Sequence, residues 1–238
     1  MLPEFLWIVG PQTYTLRLTL RQEARLQQTL GYGLEQLGVR LSFGNYGVIE
    51  MLATLSAGLR GGWKADATND QLLEIYRKAV GDPPTAELNC DGVIYPLALP
   101  LDKQLEVEKQ LGYGLEQLVL RVNAVNYGLQ EMAVVLGAAL RVGSPKIRTY
   151  DDVLEVMELS GRKHFRQVFR NYVGVISTSN QPLADAFHGF VRVAMDTAQA
   201  ASEEVADRLP KKTPENKEEK EGLASDPLSH APSTGNAS

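Results

Sequence analysis

The chain has 238 residues, 44% hydrophobic and 22% charged, with a net charge of −5 and a single cysteine, Cys90. An acidic balance speaks against nucleic acid as a partner, and one cysteine rules out an internal disulfide or a multi-cysteine zinc site. No apolar run approaches the ~18 residues of a membrane helix, so no membrane partner is expected.

The first residues, MLPEFLWIVG, lack the basic segment of a secretory signal. Phe5 to Val9, a Gly10-Pro11 turn, and Tyr14 to Leu18 with apolar residues at every second position predict a two-stranded ribbon. Its apolar face must lie on the helices that follow, because an isolated hairpin is marginal. The period then changes to helical spacing, with Leu26, Leu30, Leu34, Leu37 and Leu41 in a stripe. Gly31-Tyr32-Gly33 interrupts that stripe. Two glycines inside a helix cost about 1 kcal/mol each relative to alanine, so a helix end or bend is expected there, with Tyr32 packed in the corner. The triplet lacks the Lys-Ser/Thr of a phosphate loop and is not read as a nucleotide site.

Asn45 is placed as the N-cap of the next helix, whose core positions are Val48, Met51, Leu52, Leu55 and Leu59. Gly61-Gly62-Trp63-Lys64 reads as a glycine-rich loop, where Trp63 is either a contact residue or packs back on its own domain. Thr68-Asn-Asp-Gln71 resembles a capping box for a helix to Val80.

After Gly81-Asp82-Pro83-Pro84 the whole pattern returns. LGYGLEQL at 30–37 recurs at 111–118, and about 27 of the 63 positions from 14 to 76 are identical to those 81 residues later, without a gap. This is a tandem duplication of one folding unit. Gly112, Tyr113 and Gly114 repeat the corner, Asn126 the cap, and Thr149 to Asp152 the capping box.

Past the second copy, Phe165, Val168, Phe169, Tyr172, Val173 and Ile176 form one helical face opposite Arg162, Lys163, Arg166 and Arg170, a candidate interaction cluster alongside Trp63. A break at Ser177 to Pro182 precedes another amphipathic helix reaching about Leu209. The Lys-, Glu-, Pro- and Ser-rich end is expected to be disordered. The expected fold is α+β, mostly α: repeat unit one over 1–82, a linker over 83–90, repeat unit two over 91–176, a C-terminal helix over 177–209 and a disordered tail over 210–238. Unit one lacks a counterpart of the helix from Gly161 to Ile176, and either borrows it or stays shorter.

No catalytic or metal-binding spacing appears, and His164, His188 and His230 are scattered. Glu35/Glu116, Arg40/Arg121, Glu50/Glu131, Arg60/Arg141 and Glu74/Glu155 recur in both copies and are read as salt-linked solvated faces. No enzyme, cofactor or metal is expected.

Tyr14-Thr-Leu-Arg-Leu-Thr, Leu30-Gly31, Leu34-Glu-Gln-Leu37, Leu55 to Gly62 and Thr68-Asn-Asp-Gln-Leu-Leu resemble the phage and gene-transfer-agent tail family encoded just before the tape-measure gene. The resemblance covers about residues 7–80 and, more weakly, 92–176. It implies phage tail morphogenesis, with the tape-measure protein or other tail proteins as partners and self-association possible. The family is described both as a tail tube component and as a tail assembly chaperone. A tube subunit needs long strands to build a stacked ring, so the helical chain is expected to be the chaperone, in the cytoplasm of the bacterial host during assembly. The alternative is a structural tube protein in the virion tail, and the second alternative an unrelated helical protein-binding module.

Overall fold

Turn chemistry opens each half. Strands β1 (Phe5–Val9) and β2 (Gln12–Leu16) pair antiparallel around Gly10, with Trp7 opposite Tyr14. Alternation buries Trp7, Val9, Tyr14 and Leu16 and leaves Leu6 and Ile8 exposed on the outer face. Helices α1 (Leu20–Leu30), α2 (Leu34–Ser42), α3 (Val48–Gly62) and α4 (Asn69–Val80) follow. The second half repeats this order with β3 (Thr85–Cys90), β4 (Val93–Ala98), α5 (Leu101–Leu111), α6 (Leu115–Asn123), α7 (Leu129–Gly143) and α8 (Tyr150–Ser160). The fold is α+β and mostly α, with two separate two-stranded hairpins. The computed structural model describes residues 4–208, with the backbone alone over 201–208, and the expected tail over 210–238 lies outside the described residues.

Several boundaries differ from the sequence expectation. Residues 85–90, expected in the linker, are strand β3, so unit two begins at Thr85 rather than 91. Pro84 is held in place, since its carbonyl accepts from Leu99 N–H (3.2 Å) and from Tyr172 O–H (2.9 Å). Asn45 and Asn126 are not N-caps. Their N–H groups bond back to the Arg40 and Arg121 carbonyls (2.8 Å each), closing the ends of α2 and α6. The caps are Gly47 and Gly128, whose N–H groups donate to the Glu50 and Glu131 carboxylates at 3.0 and 2.9 Å. The Thr68 and Thr149 caps form as the sequence predicts.

Gly61 and Gly62 belong to the last turn of α3 rather than to a loop. A Cβ at Gly61 would collide with the Arg17 carbonyl, one at Gly62 with the Thr15 carbonyl, and one at the repeat partner Gly143 with the Pro96 carbonyl. Glycine there lets each central helix lie directly on the backbone of its hairpin.

The largest departure is α9, which runs unbroken from Arg162 to Arg208 through Pro182. No break occurs at 177–182, and the C-terminal helix does not start at 177. Phe165, Phe169, Tyr172, Val173 and Ile176 are buried against unit two, and Leu183, Phe187, Phe190, Val191 and Ala194 are buried against unit one. The two sets correspond one to one at a spacing of 18 residues. Eighteen residues are five helical turns, so both sets share one face, and the units sit about 27 Å apart along it. Unit one therefore borrows its final helix from the far end of the chain. Phe169 packs on Tyr127 (5.1 Å between ring centroids) as Phe187 packs on Tyr46 (5.3 Å).

Candidate functional site

The repeated octapeptide builds a corner in each unit. Gly31 (φ 79°) and Gly112 (φ 75°) end α1 and α5 in the left-handed conformation that a side chain disfavours. Gly33 and Gly114 then cap α2 and α6. Between them the Tyr32 hydroxyl donates to Glu50 (3.2 Å), which also binds Arg40 (2.8 Å), and the Arg40 guanidinium lies 5.1 Å over the Tyr32 ring. Tyr113, Glu131 and Arg121 repeat this at 3.2, 2.7 and 5.1 Å. Arg40/Glu50 and Arg121/Glu131 are thus not solvated faces. The two glutamates are 13% exposed, and each also caps the N-terminus of a central helix. Burial, then the adjacent carboxylate, pushes both tyrosine hydroxyls up to about 12, so they remain donors at neutral pH.

Only one corner is occupied by the other unit. Gly114 packs against Gly47, close enough that a Cβ on either would clash with the other's backbone. Beside them the buried Glu108 accepts from Val48 N–H (2.7 Å), Ile49 N–H (2.9 Å) and Leu115 N–H (2.8 Å). One carboxylate thereby satisfies the first turns of two helices from two units, where the helix dipoles favour negative charge. Burial pushes its carboxyl up to about 7, opposed by those three backbone N–H groups. No repeated pattern marks this role, because the repeat partner of Glu108 is Gln27 and the two lie outside the shared octapeptide. Asn180, on α9 between the units, donates to Gln104 (2.7 Å), which donates to the Leu99 carbonyl (3.0 Å).

The remaining candidates do not converge. Trp63 caps the end of α3, 42% exposed, with its ring edge-on to Tyr14 at 5.2 Å. Arg162, Lys163, Arg166 and Arg170 are exposed at the start of α9, on unit two, and form no ion pair among the described residues. Val93 and Ile94 join Leu6 and Ile8 as exposed apolar residues of the hairpins. Among the described residues, no group of three or more His, Cys, Asp or Glu could hold a metal, and no helix is long and apolar enough to cross a membrane.

Residues 4–88 match the family model described as phage tail tube protein, GTA-gp10. The match takes in β1, β2 and α1 to α4 of unit one and ends inside β3. No curated protein and no solved structure matches.

Proposed function

We propose that this chain is a non-enzymatic tail protein of a phage or gene transfer agent and that it serves as a structural component of the tail tube. The observation that carries this reading is the tail tube family match over residues 4–88, which spans the hairpin and the four helices α1 to α4 of unit one. The internal repeat extends the same likeness to unit two. Its partners are then other tail proteins, and its site is the virion tail. It takes precedence over the chaperone expected from the sequence, because the family description names the tube.

A second reading keeps the chaperone for the tape-measure protein, acting in the host cytoplasm. The observation favouring it is the pair of short hairpins, since two strands are a small base for a stacked ring. Their outward Leu6, Ile8 and Ile94 would face an apolar client. Mass spectrometry of purified particles separates the two. Many copies per tail support the tube component. Absence from tails, with recovery of the chain bound to the tape-measure protein from lysate, overturns it in favour of the chaperone.

A further inference from the structure

Both hairpins lie on their helices in the same way, and each keeps one open edge. In unit one the Arg17 N–H donates to the Gly58 carbonyl (3.0 Å), and the carbonyls of Thr15 and Arg17 lie against Gly62 and Gly61, so α3 covers the outer edge of β2. In unit two the Pro96 carbonyl lies against Gly143, so α7 covers β4. The open edges are therefore β1 and β3. Backbone groups alternate in direction along an antiparallel strand. Since Thr15 and Arg17 turn theirs to α3, Gln12, Tyr14 and Leu16 turn theirs to their register partners Val9, Trp7 and Phe5. The outward N–H and C=O groups of β1 then belong to Leu6 and Ile8, and among the described residues no second strand pairs with them.

The repeat treats this edge in two ways. The positions equivalent to Leu6 and Ile8 are Glu87 and Asn89. A charge on an open edge prevents pairing with another chain, and an uncharged apolar edge invites it. Leu6 and Ile8 are 60% and 70% exposed. The apolar residue has also changed strands: Ile8 on the open β1 faces Thr13, whereas Asn89 on the open β3 faces Ile94 on the covered β4. Charge follows the same division. Residues 4–17 hold only Glu4 and Arg17, which pair with each other, for a net of zero, whereas residues 85–98 hold Glu87 and Asp91 and no base, for −2. We propose that β1 is an interface whose partner is β1 of a second copy of the chain, paired antiparallel about a two-fold axis at Trp7.

Two-fold pairing at Trp7 sets Leu6 of each copy opposite Ile8 of the other. These are the residues with outward N–H and C=O groups, so each such pair exchanges two hydrogen bonds. The four apolar side chains then form one cross-strand cluster on the outer face of a four-stranded sheet. Glu4 comes opposite Gly10, and no like charges meet. For a chain of net charge −5, a neutral hairpin is where two copies approach with little repulsion. The contact is isologous and closes at two chains. The inference rests on the hairpin edges and does not depend on which tail role the chain has.

The test uses the full chain in analytical ultracentrifugation. A Leu6→Glu, Ile8→Asn double variant carries the residues that β3 already accommodates, and Ile8→Pro removes one outward N–H that the hairpin does not use. The parent is expected to pass from one chain to two as concentration rises, and both variants to remain single chains with circular dichroism spectra like the parent's. Disulfide trapping reads the register, with Cys90 buried and out of competition. An equimolar mixture of Leu6→Cys and Ile8→Cys chains is expected to cross-link several-fold faster than either alone, because opposite Cα atoms lie about 5.5 Å apart and diagonal ones about 7–8 Å. A parent that stays a single chain, edge variants that associate like the parent, or equal trapping in the mixture and the single variants overturns the proposal.

Discussion

At the residue scale, Glu108 and the glycines of the central helices show how close backbone approach fixes chemistry. The Glu108 carboxyl is raised to about 7 in the fold by burial, above its ordinary value. Between about 4.5 and about 7 the native state therefore binds more protons than the unfolded chain, so the stability this group contributes is full below the unfolded value and is lost as pH rises through the folded one. Urea unfolding of the parent chain, compared with Glu108→Gln, is expected to show a loss on the order of 3 kcal/mol across that window in the parent only. Identical slopes in both proteins would remove Glu108 as the cause. Gly62→Ala and Gly143→Ala press a methyl group into the hairpin carbonyls of Thr15 and Pro96, and each is expected to destabilise by about 1–3 kcal/mol. Gly174, exposed in α9 with nothing near it, is the control. Its replacement by alanine should raise stability by about 1 kcal/mol, because glycine inside a helix leaves backbone entropy unrestrained.

At the scale of elements, α9 is one helix with two equivalent halves. Pro182 removes one interior N–H and would end many helices, yet here it lies exposed between Asn180 and Leu183, both fully buried, so packing on either side holds the rod together. Phe169 and Phe187 occupy equivalent places, and truncating either to alanine is expected to cost about 3–5 kcal/mol. Because the helix joins both units, each variant should still melt in one transition when followed by circular dichroism and by tryptophan fluorescence from Trp7 and Trp63 in unit one. Two transitions, with Phe169→Ala affecting only the circular dichroism, would show that α9 does not couple the halves.

For the whole molecule, chain order and spatial order disagree. Unit two is continuous from Thr85 to the middle of α9, whereas unit one needs residues 183–194, which follow unit two in sequence. A fragment of residues 84–180 is therefore expected to fold, with amide protons of α7 protected from exchange. A fragment of residues 1–80 leaves Leu16, Met51 and Leu55 without the cover of Phe187, Phe190 and Val191, and is expected to remain largely unfolded. A stable, protected fragment 1–80 would mean that the borrowed helix is dispensable. Loop closure over a hundred residues adds only a slowly growing entropy cost, which is why such a distant segment can complete the core.

The duplication, the two hairpins, the helix ends at Gly31 and Gly112, and the Thr68 and Thr149 caps were legible in the order of residues alone, since each depends on neighbours in the chain whose spacing is visible. The corner of Tyr32, Arg40 and Glu50 was legible only as repeated letters. Salt-linked surface residues and a half-buried network carry the same residue types, and only burial tells them apart. Gly62 and Gly143 were hidden within a stretch where the copies otherwise diverge. The continuity of α9 was also within reach, because its buried residues repeat at an interval of 18, but a proline and a polar run gave the stronger local signal. Which of the two identical corners meets the other unit, where Glu108 places its carboxylate, and which unit each half of α9 completes are set by packing in three dimensions. Such contacts are made between residues far apart in sequence, and their energy depends on water exclusion and backbone approach, which no local pattern encodes.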